Sequence, residues 1–598
     1  MPEPSTVDFN AQQHDVINRA PEERLLVNAG AGTGKTRVLV ERLSILVEEH
    51  GLYPGTELLV LSFSRAVVAE IRKRLGNSDS AMYAGVSTFD SFATKLLADF
   101  SPDETWQSLS YDDRIRSALR LVNSNDDCIS EIKTTYRHLL VDEIQDLVGI
   151  RAEFVARLLT TADAGFTLFG DPAQSIYEHQ HADGSGRVCL YQLLPAELGQ
   201  VVTLTFTQNY RARTEQTKRV LSFGPRLQAP SPDYGSIRRD LETLILTLPS
   251  LGNLESILGA WRQTPPTSDA VLCRTNGQAL RILDHLRKAE VCCKLKNAAT
   301  DRVIPSWIAL STMGVDSARI SKNAFLERIT TVAGESHQSA EEKWSFLRRL
   351  CTDRANDIDL RRLGWRLSAS SIPQELLDNP GEGVTVSTIH RAKGLEFERV
   401  IVTRPDLGDD AVEPEELRVL YVALTRAVSW VGLMDAPKST TIGKSARWNR
   451  WFEYGYAGKR RYVTGVEVRP SDTCRSIPPG AENSVAGDSL VELQQYINQR
   501  VRPGDSVVLR PIVQRGETSW CIEHEGCRVG EISPECAACL SHACGSRRPA
   551  FVDNLYVDAT ETVVGSPDAS RTYGLGHSGF WQCVRVVGFG RLGFLKDE

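Results

Sequence analysis

The stretch "NAGAGTGKTR" (28–37) sets a run of small residues in front of a lysine and a threonine. Small residues let backbone N–H groups approach an anion, Lys35 can reach the β/γ-phosphates of a nucleotide, and Thr36 can ligate magnesium. Ala29, Gly30, Ala31, Gly32, Thr33 and Gly34 would form the loop, with Ala29 where the phosphate-loop pattern has glycine. A second group is "HLLVDEIQD" (138–146), an apolar run that ends in Asp142-Glu143. A carboxylate at a strand end beside a phosphate loop can hold Mg2+, and an adjacent one can activate water. Asp142 is therefore assigned to the metal and Glu143 to general base. In "TLFGDPAQSIY" (167–177), Gln174 is placed to sense a γ-phosphate, and Tyr177 offers a ring for base stacking.

Such residues need strand ends beneath them. "ERLLVN" (23–28) is a short apolar run, and "KTRVLVERLSILVEE" (35–49) has helical periodicity, so the loop falls between a strand and a helix. Strands and helices go on alternating, which predicts parallel sheets flanked by helices. At 598 residues the chain exceeds a single core, and roughly three or four domains are expected. Hydrophobic residues make up 41% and charged ones 24%, the balance of a globular protein. No apolar stretch nears the ~20 residues that span a bilayer, and the N-terminus lacks a basic-then-apolar leader. The expectation is a cytoplasmic protein without membrane association. A net charge of −7 shows only that no globally basic surface is needed, since a basic groove can sit in an acidic protein.

The ordered motifs over residues 9–428 resemble those of superfamily 1 DNA helicases of the UvrD/PcrA/Rep type. That resemblance implies two RecA-like parallel-sheet lobes with ATP and Mg2+ between them, and movement along single-stranded DNA in the 3′→5′ direction. In "FNAQQHDVI" (9–17), Gln13 matches the residue that reads the adenine edge, and Arg37 matches a position near base and sugar. "VLSFSRAVVAEIRKRL" (60–75) resembles a strand-contacting motif, with Ser62, Phe63 and Arg65 as its candidates; a Phe63 buried in a strand is the other reading. In "TFTQNYRART" (205–214), Tyr210 would stack on adenine and Arg211 would reach the γ-phosphate. In "VTVSTIHRAKGLEFERVIV" (384–402), Thr388 and His390 would face DNA and Glu396 would bind the ribose hydroxyl. "EELRVLYVALTRA" (415–427) places Arg426 as a second γ-phosphate arginine.

Departures from the family are informative. Asp90 stands where the family has histidine, and a carboxylate repels phosphates, so no DNA contact is carried onto it. The family's insertions are expected to be short helical ones here, at about 94–137 in a first lobe of 1–212 and about 290–380 in a second lobe of 213–458. "EHQHADGSG" (178–186) replaces an expected aromatic and basic grip.

Past the second lobe, residues 459–488 read as a linker rich in Pro, Ser and Gly, and 489–598 as a small β-rich domain, barrel or sandwich. Trp520, Tyr556 and Trp581 are candidates either for its core or for stacking on a nucleic-acid end. Thirteen scattered cysteines read as reduced thiols. Cys536, Cys539, His542 and Cys544 have spacing that can bind zinc, or they lie on a helix that buries Cys536, Cys539 and Leu540.

Two functions fit. One is an ATP-driven helicase or translocase acting on single-stranded and tailed duplex DNA. The other is a nucleotide-gated switch whose C-terminal domain recruits a protein partner for repair or defence.

Overall fold

The computed structural model describes residues 9–62, 85–101, 109–176, 189–198, 200–229, 231–263, 269–296, 303–332, 339–351, 357–368, 383–405, 413–436, 441–481, 487–514, 517–545 and 549–594. Phe63, Arg65, Tyr177 and the "EHQHADGSG" segment lie outside them. The chain divides into two compact units. The first comprises residues 1–252, 268–274 and 387–435, and the second 253–267, 275–386 and 436–598.

The first unit holds β1 (Arg24–Ala29), β2 (Leu58–Ser62), β3 (Gly85–Thr88), β4 (His138–Val141), β5 (Gly165–Gly170) and β6 (Val202–Phe206). They form one parallel sheet in the order β3-β2-β4-β5-β1-β6. β2, β4 and β5 are buried along their whole length, as parallel strands covered on both faces should be. The expected first insertion is helical. Helices Phe89–Phe100, Tyr111–Ser124 and Asp126–Thr135 share a core with the helix Ile150–Ala162, around Phe92, Ile115, Ile132 and Phe154.

In chain order there follow β7 (Asp269–Cys273), β8 (Cys293–Leu295), β9 (Arg319–Ser321), β10 (Asp357–Asp359), β11 (Val384–Thr388), β12 (Phe397–Thr403) and β13 (Ala427–Met434). Within the first unit β12 pairs in parallel with both β7 and β13. The helix Pro414–Leu424 is buried beside them, with Tyr421 1% exposed. In the second unit Val384–Val386 of β11 pair in parallel with β8. The six-stranded sheet of β1 to β6 and the parallel strands β7, β12 and β13 supply the α/β lobes.

The rest of the second unit is antiparallel. β14 (Ile442–Ser445), β15 (Arg450–Ala457), β16 (Arg460–Val468), β17 (Ser506–Gln514), β18 (Glu517–His524), β19 (Cys527–Glu531), β20 (Phe551–Val564) and β21 (Phe580–Gly593) form one eight-stranded sheet. Its order is β14-β15-β16-β21-β20-β17-β18-β19. The β-rich character is as expected, but the sheet begins before residue 489. Residues 460–468, expected in a linker, form β16, and Asp472 is buried against Arg450 at 2.6 Å. Trp520 and Trp581 are core residues, 1% and 0% exposed, while Tyr556 is half-buried under the Arg287 guanidinium. Ser533 caps the helix Pro534–Cys544, which buries Cys536, Cys539 and Leu540 in the sheet's core. The helix and its buried face are those expected for "CAACLSHAC". The second insertion supplies helices Ser306–Thr312, Lys322–Val332, Ala340–Cys351 and Leu360–Ser368, whose core includes Phe580 of β21. Among the described residues no helix is long and apolar enough to cross a membrane.

Candidate nucleotide-binding site

β1 ends at Ala29 and the helix Lys35–Glu48 begins at Lys35, so Gly30–Gly34 is a turn that aims a helix N-terminus outward. Gly32 and Gly34 have φ of +72° and +87°, a region that side chains with a Cβ rarely adopt. A Cβ on Gly32 would come within 2.5 Å of the Arg211 Cβ, so the loop's shape and the closeness of Arg211 are one feature. Thr33 closes the turn by donating through Oγ1 to the Gly30 carbonyl, 2.9 Å. The Gln13 amide braces it, donating to the Thr33 carbonyl at 3.0 Å and accepting from the Asn10 N–H at 3.0 Å. Asn209 donates to the Ala31 carbonyl, and the Tyr210 N–H to the Gly32 carbonyl at 2.8 Å. The Tyr210 ring is 43% exposed, its hydroxyl accepting from Asn10. The Arg37 guanidinium lies 4.2 Å over the Phe9 ring. Gln13, Arg37 and Tyr210 thus all flank the loop.

β4 delivers Asp142, 1% exposed, at the end of its apolar run. Glu143 follows at φ +55°, a left-handed conformation uncommon for a residue with a Cβ. Its N–H donates to Asp142 Oδ1 at 2.9 Å, and its carboxylate accepts from Lys35 Nζ at 3.2 Å. Burial opposes the charge on Lys35, but Glu143, Asp142 and Asp171 outweigh it and hold the ammonium protonated. Burial also opposes the charge on Glu143, and Lys35 and Lys393 overcome it, bringing the carboxyl down to about 2. Asp142 goes the other way, pushed up by burial and by the Glu143 charge.

From Glu143 a line of hydrogen bonds runs through residues that sequence reasoning left unassigned. Gln145 donates to Glu143 and accepts from the Asp171 N–H at 3.0 Å. The Asp171 carboxylate accepts from Gln174 at 2.6 Å and from Gln228 at 2.7 Å. Gln174 in turn accepts from Arg426 Nη2 at 3.0 Å. Arg426 is 2% exposed, and burial lowers it to about 10, still charged at neutral pH. Arg211 donates to the Thr425 carbonyl at 3.2 Å and pairs with Glu396. Its buried Nε has no hydrogen-bond partner among the described residues. Lys393 bonds both Asp146 and the Gln174 carbonyl, and is 7% exposed. "GDPAQ" and "HRAKG" flagged Asp171 and Lys393 by adjacency to assigned residues, whereas Gln228 carries no such signal.

All the proposed nucleotide residues therefore surround one loop, and they fit ATP with Mg2+. The glycine cradle excludes a Cβ, a lysine and two arginines converge on it, and Thr36 and Asp142 are oxygen donors suited to a hard cation. The proposed DNA residues are less gathered. Ser62 is fully buried at the end of β2, Thr388 is 6% exposed, and His390 is half-buried. Asp90, from which DNA contact was withheld, pairs with Arg151 at 3.2 Å.

Parallel sheets with this loop, acidic pair and arginine set define a P-loop nucleotide hydrolase of the RecA-like, two-lobe kind. Sequence comparison narrows the class. The UvrD/REP helicase N-terminal domain matches residues 9–109 and 100–188, and the UvrD-like helicase C-terminal domain matches 383–434. These matches support a UvrD-type superfamily 1 helicase. It is 34% identical to DNA helicase II of Escherichia coli (strain K12) over 122 residues, which are 19% of this chain and 17% of that protein. Against ATP-dependent DNA helicase UvrD2 of Mycobacterium tuberculosis (strain ATCC 25618 / H37Rv) it is 22% identical over 591 residues, 77% of this chain and 83% of that protein. Likeness to the solved Pif1 helicase from Candida albicans is low, at TM-score 0.36 and 11% identity, over 72% of this chain and 96% of that one.

Proposed function

We propose that the protein hydrolyses ATP with Mg2+ in the cytoplasm, and that turnover drives it 3′→5′ along single-stranded DNA and through tailed duplexes. The observation that carries this reading is the unbroken polar line Lys35–Glu143–Gln145–Asp171–Gln174–Arg426. It joins the phosphate loop to an arginine at the far end of the helix Pro414–Leu424, so the two respond to one ligand. Lys35 and the loop N–H groups bind the phosphates, Arg211 and Arg426 meet the charge that develops on the transferred group, and Glu143 takes a proton from the attacking water. Thr36 and Asp142 would hold Mg2+, which neutralises phosphate charge when bound. Lys393 ties Gln174 to the "STIHRAKG" segment bearing Thr388 and His390, which favours coupling of hydrolysis to the DNA strand. The names of the two bacterial relatives support ATP and DNA as substrates, and the direction rests on the family resemblance.

Steady-state ATPase with and without an oligo-dT strand tests the reading on the wild type, Lys35→Ala and Glu143→Gln. Strong DNA stimulation that both changes abolish supports it, and 3′-tailed against 5′-tailed duplexes then assign direction. Low, DNA-independent turnover with ATP binding intact would sink the motor and favour the recruitment switch.

A further inference from the structure

The hairpin of β15 and β16 outruns its neighbours. β14 pairs only with Arg450–Glu453 of β15, and β21 pairs only with Gly465–Val468 of β16. The Tyr454 N–H still donates to the Thr441 carbonyl at 2.7 Å; beyond it, among the described residues, the two strands pair only with each other, through Gly455↔Tyr462 and Tyr456↔Arg461. A two-stranded ribbon gains little from its own backbone and is marginal in water, so its side chains decide whether it persists.

Those side chains are aromatic and basic. From residue 444 to 461 the cations are Lys444, Arg447, Arg450, Lys459, Arg460 and Arg461, against Glu453 alone, in a chain whose net charge is −7. Arg450 is neutralised by buried Asp472, and Glu453 already pairs with Arg281 at 2.6 Å. Lys459 and Arg461 are exposed and have no carboxylate partner among the described residues. Consecutive cations at a turn repel one another, and a polyanion would relieve that repulsion.

Ribbon stability accounts for part of the aromatic content. The Tyr462 ring covers Gly455, where a Cβ would come within 2.7 Å of it, and the Arg461 guanidinium stacks 3.3 Å over the Tyr454 ring. It does not account for Tyr456. That ring is 56% exposed, on the face it shares with Arg461, and no buried cluster among the described residues includes it. An open ring beside an exposed guanidinium, itself stacked on Tyr454, and a turn lysine combines a stacking platform with phosphate contacts, the pairing that binds unstacked bases.

We infer that the projecting ribbon is a second nucleic-acid site, taking single-stranded nucleic acid with a base on Tyr456 and backbone phosphates on Lys459 and Arg461. The site lies in the second unit, apart from the motif residues. It extends the proposed function by adding a strand contact that needs no nucleotide.

Fluorescence anisotropy of full-length protein with labelled oligo-dT and oligo-U, at several salt concentrations, tests it. Tyr456→Ala should weaken binding roughly tenfold. Lys459→Glu should also weaken it and flatten the salt slope by about 0.7 or more. Trp365→Ala, which removes a 63% exposed ring outside the ribbon, should leave affinity nearly unchanged, and DNA-free ATPase should be unaltered in all three. A larger loss with oligo-dT or with oligo-U says which strand the site prefers. Unchanged affinity and slope in both Tyr456→Ala and Lys459→Glu, with wild-type binding present, would overturn the site alone. A wild type that binds neither strand would overturn the DNA-motor reading as well. Loss in Lys459→Glu but not Tyr456→Ala would reduce the ribbon to a general polyanion contact and refute base stacking.

Discussion

At the scale of single residues, Glu143 holds a backbone conformation that costs free energy and a carboxylate kept ionised by two lysines. The ionised form is the one that can accept a proton, although the lysine charges weaken it as a base. Glu143→Gln should lower ATP turnover by about 10²–10⁴-fold while retaining nucleotide binding, read by turnover beside equilibrium binding of a fluorescent ATP analogue. His138, on β4, is buried between the Pro21 carbonyl and the Thr167 hydroxyl, and burial drops it to about 3, with the charge of Arg42 adding to the effect. An unfolded histidine protonates near pH 6.5. Between those values the unfolded chain binds the extra proton, so this group's stabilisation is complete above pH ~6.5 and is lost as pH falls towards 3. Asp142 and Asp146, whose carboxyls burial raises, act in the opposite sense. The difference between wild type and His138→Asn isolates the histidine. The urea midpoint of the wild type should fall more steeply than the variant's from pH 6.5 to pH 4.

At the scale of elements, the strand–turn–helix of the phosphate loop is determined by backbone geometry that only glycine meets easily. Gly32→Val should abolish ATP binding, since it strains φ and drives a side chain into Arg211 and Asn209; isothermal titration of an ATP analogue checks it. In the antiparallel sheet, Arg450 and Asp472 are 3% and 4% exposed and form a bidentate pair. Removing one partner of such a pair strands the other charge. Asp472→Asn should therefore destabilise by about 3–5 kcal/mol, measured by chemical denaturation followed at the unit's tryptophans. Local pattern made β17 to β21 legible, because alternation and turn residues are written in adjacent positions. It missed that β14 to β16 join the same sheet. Lys459-Arg460-Arg461 looked like the start of a linker, because a solvated hairpin turn and a linker have the same composition.

At the scale of the whole molecule, the proposed nucleotide residues all fall within one compact unit, and the other carries the eight-stranded sheet and the second insertion's helices. Thermal unfolding should accordingly depart from two-state behaviour. A saturating ATP analogue should raise a transition in the wild type and leave Lys35→Ala unmoved, by about 2.7 kcal/mol at a hundredfold excess over Kd.

The sequence by itself determined the phosphate loop, the acidic pair, the two arginines and the alternation of lobes, because each is a short pattern set by backbone sterics or by neighbours along the chain. Tertiary structure decided what those patterns touch. It buried Ser62 and Thr388 at strand ends, bonded Gln228 to Asp171 and Lys393 to Gln174, and turned "CAACLSHAC" into a core helix. It also left Tyr456 open at the end of an unsupported ribbon. These are long-range contacts, and one residue's local pattern is compatible with many of them until packing selects the set that buries apolar surface and satisfies every polar group nearby.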